Sequence, residues 1–92
     1  MSMKQWIHDE IMAERERQRE KWDCAHAWGR GDCSSLDVPD IVKAVVLGEE
    51  CGEVQQAVLD HDWRQVRAEL VQVAAVAVAW LEALADAERG EG

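Results

Sequence analysis

The stretch from Leu70 to Leu81 holds a single polar residue, Gln72, in twelve positions. On an α-helix each residue advances the side chain by about 100°, so these apolar groups surround the whole axis and the segment demands burial on every side. Its longest strictly apolar run, Val73 to Leu81, is nine residues, far short of the roughly 20 that cross a bilayer. The chain has 92 residues, a single small domain of a size that buries only somewhat more than about 60% of its unfolded surface. Phe and Tyr are absent, Trp supplies every aromatic, and Ala and Val dominate the apolar set. That composition suits close helix packing better than a bulky core. Two further helical segments are too few to enclose the run. The expected fold is therefore all-α, a small bundle of three main helices completed by oligomerisation.

The first helix is expected from about Met3 to Trp22, a stretch without Gly or Pro in which Met3, Trp6, Ile7 and Ile11 make a narrow apolar stripe. Residues Asp23 to Pro39 contain Gly29, Gly31, Asp32, Ser34, Ser35 and Pro39 and predict a loop. At seventeen residues the loop is long for a compact domain, and such loops tend to be functional or mobile. Trp28 within it reads either as a binding aromatic or, more ordinarily, as an anchor of the loop on the bundle. A second helix is expected from Pro39 or Asp40 to about Leu59, with Pro39 and Asp40 suited to a helix start. Its small residues Ala44, Gly48, Cys51 and Gly52 predict the close approach of another helix. Asp60-His61-Asp62 breaks the pattern, and a third helix follows from about Asp62 to Ala87. The tail from Asp86 to Gly92 is expected to fray. No segment predicts a strand.

Ten basic and nineteen acidic residues give a net charge of −9. Such a surface repels polynucleotides, while a small anionic substrate remains compatible if cations accompany it. Cys24, Cys33 and Cys51 are odd in number and irregularly spaced. With no basic-then-apolar leader pattern, the chain reads as cytoplasmic, with reduced thiols and no membrane association. A zinc site at Cys24, His26 and Cys33 is disfavoured because the spacing matches no paired-ligand pattern. His8 and His61 read as exposed or structural, and Trp63 and Trp80 as core aromatics.

Gly48-Glu49-Glu50-Cys51-Gly52-Glu53 places three carboxylates within five residues. With Glu49 at zero, Glu53 lies near 40° and Glu50 near 100°, all in one quadrant of the helix. Like charges at this spacing weaken a helix by a few tenths of a kcal/mol per pair. On a partly buried face they need a cation, and oxygen ligands suit a hard divalent one such as Mg²⁺. Fifteen residues separate Glu53 from Glu69, and Gln72 follows at i+3. Two antiparallel helices can thus oppose Glu49, Glu50 and Glu53 to Glu69 and Gln72. A solvated acidic face is the bland reading of the first three residues taken alone.

The ordered set EExxE…ExxQ resembles the MazG-like, all-α NTP pyrophosphatase superfamily, whose signature is EExxE followed by ExxD. The stretch Glu14 to Trp22, ERERQREKW, is similar to the first-helix pattern of small members. Lys43 and the run Glu69 to Ala77 fit as well, so the resemblance covers roughly residues 10 to 84. It implies hydrolysis of a nucleoside or deoxynucleoside triphosphate to the monophosphate and pyrophosphate, by water attack at the α-phosphate. It implies Mg²⁺, with Mn²⁺ as a substitute, held by Glu50, Glu53 and Glu69. Glu49 would hold a second metal or orient and deprotonate the water, so that Glu49 and Glu50 carry the catalytic role. Lys43, seven residues before Glu50, would reach a phosphate, with Arg15, Gln18 and Lys21 as further substrate contacts. Trp22 has a claim on the nucleobase, and packing is an equal one. It also implies a homodimer or homotetramer. The departure is Gln72, where the family pattern has Asp: an amide carbonyl still coordinates a metal but brings no charge. Gln72 is also the best support for an alternative, a non-catalytic helical oligomerisation or nucleotide-binding module that has lost turnover.

Overall fold

The computed structural model describes residues 4–91. Helix α1 (Gln5–Lys21) leads into a small antiparallel hairpin of β1 (Ala25–His26) and β2 (Gly29–Arg30), followed by α2 (Asp40–Leu59) and α3 (Trp63–Asp86). The fold is all-α, with three helices and one minimal sheet. The hairpin corrects the expectation of no strands. Gly29 at φ 130° opens β2 and Gly31 at φ 99° follows it, backbone conformations that L side chains rarely adopt. Met3, expected in the first helix and its apolar stripe, lies outside the described residues, as does Gly92. Beyond α3 the chain continues as a π-helical turn, Ala87–Glu91.

Local chemistry sets the helix ends. Pro39 precedes α2 in an extended conformation with Asp40 in the first turn. Asp62 caps α3, its carboxylate accepting from the Gln65 N–H at 3.1 Å, a contact worth about 1 kcal/mol. Between α2 and α3 the His61 N–H donates to Val58 O and the Asp62 N–H to Ala57 O, both at 3.1 Å. That pair of bonds is a Schellman motif, with His61 at φ 55° in the left-handed position usually taken by Gly or Asn.

α3 is the central element. α1 and α2 each pack against it and not against each other. At one edge Arg67 lies over the Trp6 ring at 4.5 Å and reaches Glu10, tying α3 to α1. The buried apolar set is small in both number and size: Val38, Ala57, Ala75, Val76, Ala79 and Ala83. The largest fully buried side chains are those of Arg15 and Lys43.

Much apolar surface stays open. The accessible surface is 6412 Å², against about 5,400 Å² for a folded monomer of this mass. The radius of gyration is 14.1 Å, against about 12 Å for a compact chain of this length. Leu70, Leu81 and Leu84 lie exposed along one stripe of α3, and Ile41, Val45 and Leu59 along one stripe of α2. By length and mean hydropathy (1.6) the helical stretch Trp63–Arg89 would even pass as a membrane span, with 28% of its apolar window buried inside the chain. Two expectations are corrected here. Among the described residues no helix approaches Gly48 or Gly52 of α2, for a Cβ added to either would meet nothing within 4 Å. Trp63 is 63% exposed rather than core, because the turn before it ends the packed zone. Trp80 is half-buried, its indole N–H donating to Asp40 Oδ1 at 3.0 Å.

Candidate metal centre and adjoining cavity

Where α2 and α3 run side by side, Glu50, Glu53 and Glu69 converge. One carboxylate oxygen from each lies within 4.8 Å of the others. The i, i+3 spacing on α2 and the antiparallel return of α3 create this meeting. Glu69 is only 5% exposed, Glu50 is half-buried and Glu53 is open to solvent. Gln65, one turn before Glu69 on α3, donates to Glu69 Oε1 at 2.6 Å. Glu69 Oε2 and Glu50 Oε2 are buried and meet no backbone or side-chain donor when both carboxyls are ionised. Orphaned buried acceptors are rare in folded proteins, and carboxylate oxygens without donors are the costliest kind. Burial first, then the charges of Glu53 and Glu69 and a hydrogen bond shared with the Glu69 carboxylate, push the Glu50 carboxyl up to about 7. The donor set of hard oxygens, two of them orphaned, fits a divalent cation of the Mg²⁺ or Mn²⁺ type.

Because α1 and α2 do not touch, a cavity of about 740 Å³ opens between them, roofed by the loop. Glu50 belongs to both the trio and the cavity wall. Glu49 and Gln72 line the same wall, so position 72 borders the space beside the acidic centre. α1 contributes Glu14, Gln18 and Lys21, one helix face at i, i+4 and i+7, together with Arg17, and Trp22 follows directly after the helix. α2 contributes an apolar floor of Ile41, Val42, Val45 and Val46. The loop contributes His26 and Trp28, and Trp28 is 57% exposed at the rim rather than packed down as an anchor. Trp22 and His26 meet edge to face at 5.6 Å between ring centroids. Gly31 O lies 2.8 Å from His26 Nε2, and the Trp28 N–H donates to His26 Nδ1 at 3.3 Å, so both ring nitrogens are engaged within the loop.

No protein-family model, curated protein or solved structure matches this chain.

Six of the residues singled out from the sequence share the cavity: Gln18, Lys21, Trp22, Glu49, Glu50 and Gln72. Glu53 and Glu69 extend it as the acidic trio. Two others are placed elsewhere. Arg15 is 0% exposed and faces away from the cavity, donating to Asp32 Oδ2 at 2.8 Å and Glu82 Oε1 at 2.6 Å. Burial works against its charge, but the hydrogen bonds to Glu82 and Asp32 outweigh it and hold its pKa above the ordinary value. Lys43 is 1% exposed, its ammonium 3.9 Å from Asp40, and it lines a separate small cavity with Pro39, Ala83 and Leu84. Its seven-residue offset from Glu50 keeps both on nearly one helix face, but α3 covers that face at the start of α2 and confines the lysine there. Glu14, Arg17 and Asp32 were not among the expected site residues. The spacing of Glu14 with Gln18 and Lys21 on α1 was the available signal for the first. Asp32 has no sequence signal, because a loop has no period.

Proposed function

We propose that this chain is a metal-dependent nucleotide pyrophosphohydrolase, cleaving nucleoside or deoxynucleoside triphosphates between the α- and β-phosphates. The observation that carries the reading is the pair of buried, partnerless oxygens of Glu50 and Glu69, beside Glu53, at the edge of a cavity of nucleotide size. In this reading Glu50, Glu53 and Glu69 hold the divalent cation, and Gln72 adds a carbonyl oxygen. A bound Mg²⁺ would neutralise phosphate charge and stabilise the charge that builds up on the transferring group. Glu49, beside Glu50 on the cavity wall, takes a proton from the attacking water as its oxygen bonds to the α-phosphorus. The bond from that phosphorus to the bridging oxygen breaks, and pyrophosphate leaves with the electron pair. Lys21 and Gln18 on α1 receive the phosphates, with Arg17 as a further cation on the same wall. The base and sugar lie against Trp22, Trp28 and the valine floor, where stacking contributes about 1–3 kcal/mol.

The exposed stripes of α2 and α3 favour a homo-oligomer, a dimer or a pair of dimers, with the α2 stripe at the cavity border.

A panel of NTPs and dNTPs with Mg²⁺ or Mn²⁺, with pyrophosphate as the readout, tests the reading; absence of pyrophosphate release from every nucleotide rejects it. The presence of Gln72 on the wall supports a second reading, a binding module without turnover. Metal-dependent nucleotide binding in calorimetry with no product would favour that one.

A further inference from the structure

The loop that roofs the cavity is joined to the helices at one polar point. Among the described residues, every hydrogen bond made by residues 25–37 ends on residues 24–38, with the single exception of Asp32 accepting from Arg15. The loop itself is braced. The Arg30 N–H donates to Asp37 Oδ2, the Ser35 hydroxyl donates to Arg30 O, and the Asp37 N–H donates back to Ser35 Oγ. Gly31 adds no slack, since a Cβ there would come within 2.9 Å of Ser35 Cβ. Such a loop moves as one piece, and the place where it is tied decides where its cavity face lies.

Asp32 is committed on both oxygens. Oδ2 accepts from Arg15, and Oδ1 accepts from the Ser34 N–H at 2.9 Å and hydroxyl at 2.6 Å. Burial disfavours its charge, but the bonds from Ser34 and Arg15 prevail and hold its carboxyl below the usual range. The other arm of Arg15 reaches Glu82 on α3. One guanidinium on α1 therefore joins α1, α3 and the loop, and its planar fork suits such a double carboxylate contact better than an ammonium would.

We propose that Arg15 is a positioning residue for the cavity: through Asp32 it sets the wall formed by His26, Trp28 and Cys33, and thereby the affinity for the nucleotide, without touching it. The inference rests on the nucleotide reading above and assigns Arg15 a different role from direct substrate contact. Asp32 lines the cavity and Arg15 does not, and both lie outside the acidic trio, so Arg15→Lys is the variant that separates positioning from contact and should leave the metal chemistry alone.

The test compares wild type with Asp32→Asn and Arg15→Lys, which keep side-chain size or charge while spoiling the paired geometry. For the best substrate of the panel, KM should rise about tenfold or more with kcat within about threefold of wild type. The Mg²⁺ concentration for half-maximal rate should not change. Hydrogen exchange of amides in residues 24–38 should quicken about tenfold while α2 and α3 stay as protected as before. If Asp32→Asn fails to fold, Ser34→Ala, which loosens the other Asp32 oxygen, should shift KM and loop exchange in the same direction. An unchanged KM, an unchanged loop exchange, or a fall in kcat at constant KM overturns the proposal. A wild type that turns over no nucleotide rejects the pyrophosphohydrolase reading instead, and loop exchange in Asp32→Asn then decides the clamp alone.

Discussion

Charge on single residues carries the chemistry proposed for this chain, and it can be tested residue by residue. Glu53 is the solvent-facing member of the acidic trio, so Glu53→Gln keeps the shape and removes one ligand charge beside an already neutral Gln72. Turnover should fall at least about 100-fold, about 2.7 kcal/mol of transition-state stabilisation; near-normal metal-dependent activity in the folded variant would remove Glu53 from the site. Gln72→Asp should lower the Mg²⁺ concentration needed for half-maximal rate, because position 72 faces the cavity beside Glu49 and Glu50. An unchanged metal titration would mean that the side chain at this position does not reach the cation. Glu50 predicts a pH dependence of stability. Its folded pKa is raised from 4.5 to about 7, so between those values the folded state binds more protons than the unfolded chain. Metal-free protein should therefore lose stability as pH rises through that window. Melting in a chelator at pH 5 and pH 8 measures the loss. Mg²⁺ should restore stability at pH 8, and Glu50→Gln should flatten the difference.

Among the elements, the α2–α3 turn carries a cost that a substitution can relieve. His61 takes the left-handed position of the Schellman motif, a conformation that costs an L residue about 1–2 kcal/mol. His61→Gly removes that strain, partly offset by the greater freedom of glycine when unfolded. A net gain of about 0.5–1 kcal/mol is expected, seen as a rise of a few degrees in Tm. A drop in Tm would show that the His61 side chain makes a compensating contact. α3 shows how an element's pattern and its surroundings can differ. Its circumference is apolar as the sequence requires, yet its Leu70, Leu81 and Leu84 stripe is bare because α1 and α2 occupy only its other sides.

For the whole molecule the consequence is an incomplete core. The bare apolar stripes of α2 and α3 are the surface that a partner would cover, and a standard interface buries about 800 Å² per partner. Light scattering at micromolar concentration should give a mass at least twice 10.4 kDa. Leu81 is 64% exposed in the single chain, so Leu81→Glu should cost that chain little by itself. If the stripe is an interface, the charge sits in it unpaired and assembly should weaken sharply. A wild-type monomer would show that this apolar surface stays open.

Periodicity made the three helices, their order and the meeting of Glu50, Glu53 and Glu69 readable in the sequence, because helical spacing turns position along the chain into direction around an axis. Glycine and proline marked the loop for the same kind of local reason. Nothing local distinguishes a cation that meets a ligand from one that meets a buried carboxylate. Arg15 and Lys43 are basic residues on helix faces that looked suited to phosphate, and only the packing against α3 enclosed them. The Arg15–Asp32–Glu82 clamp joins residues 17 and 67 positions apart. Such pairings depend on where the helices come to rest, and tertiary structure alone decided them.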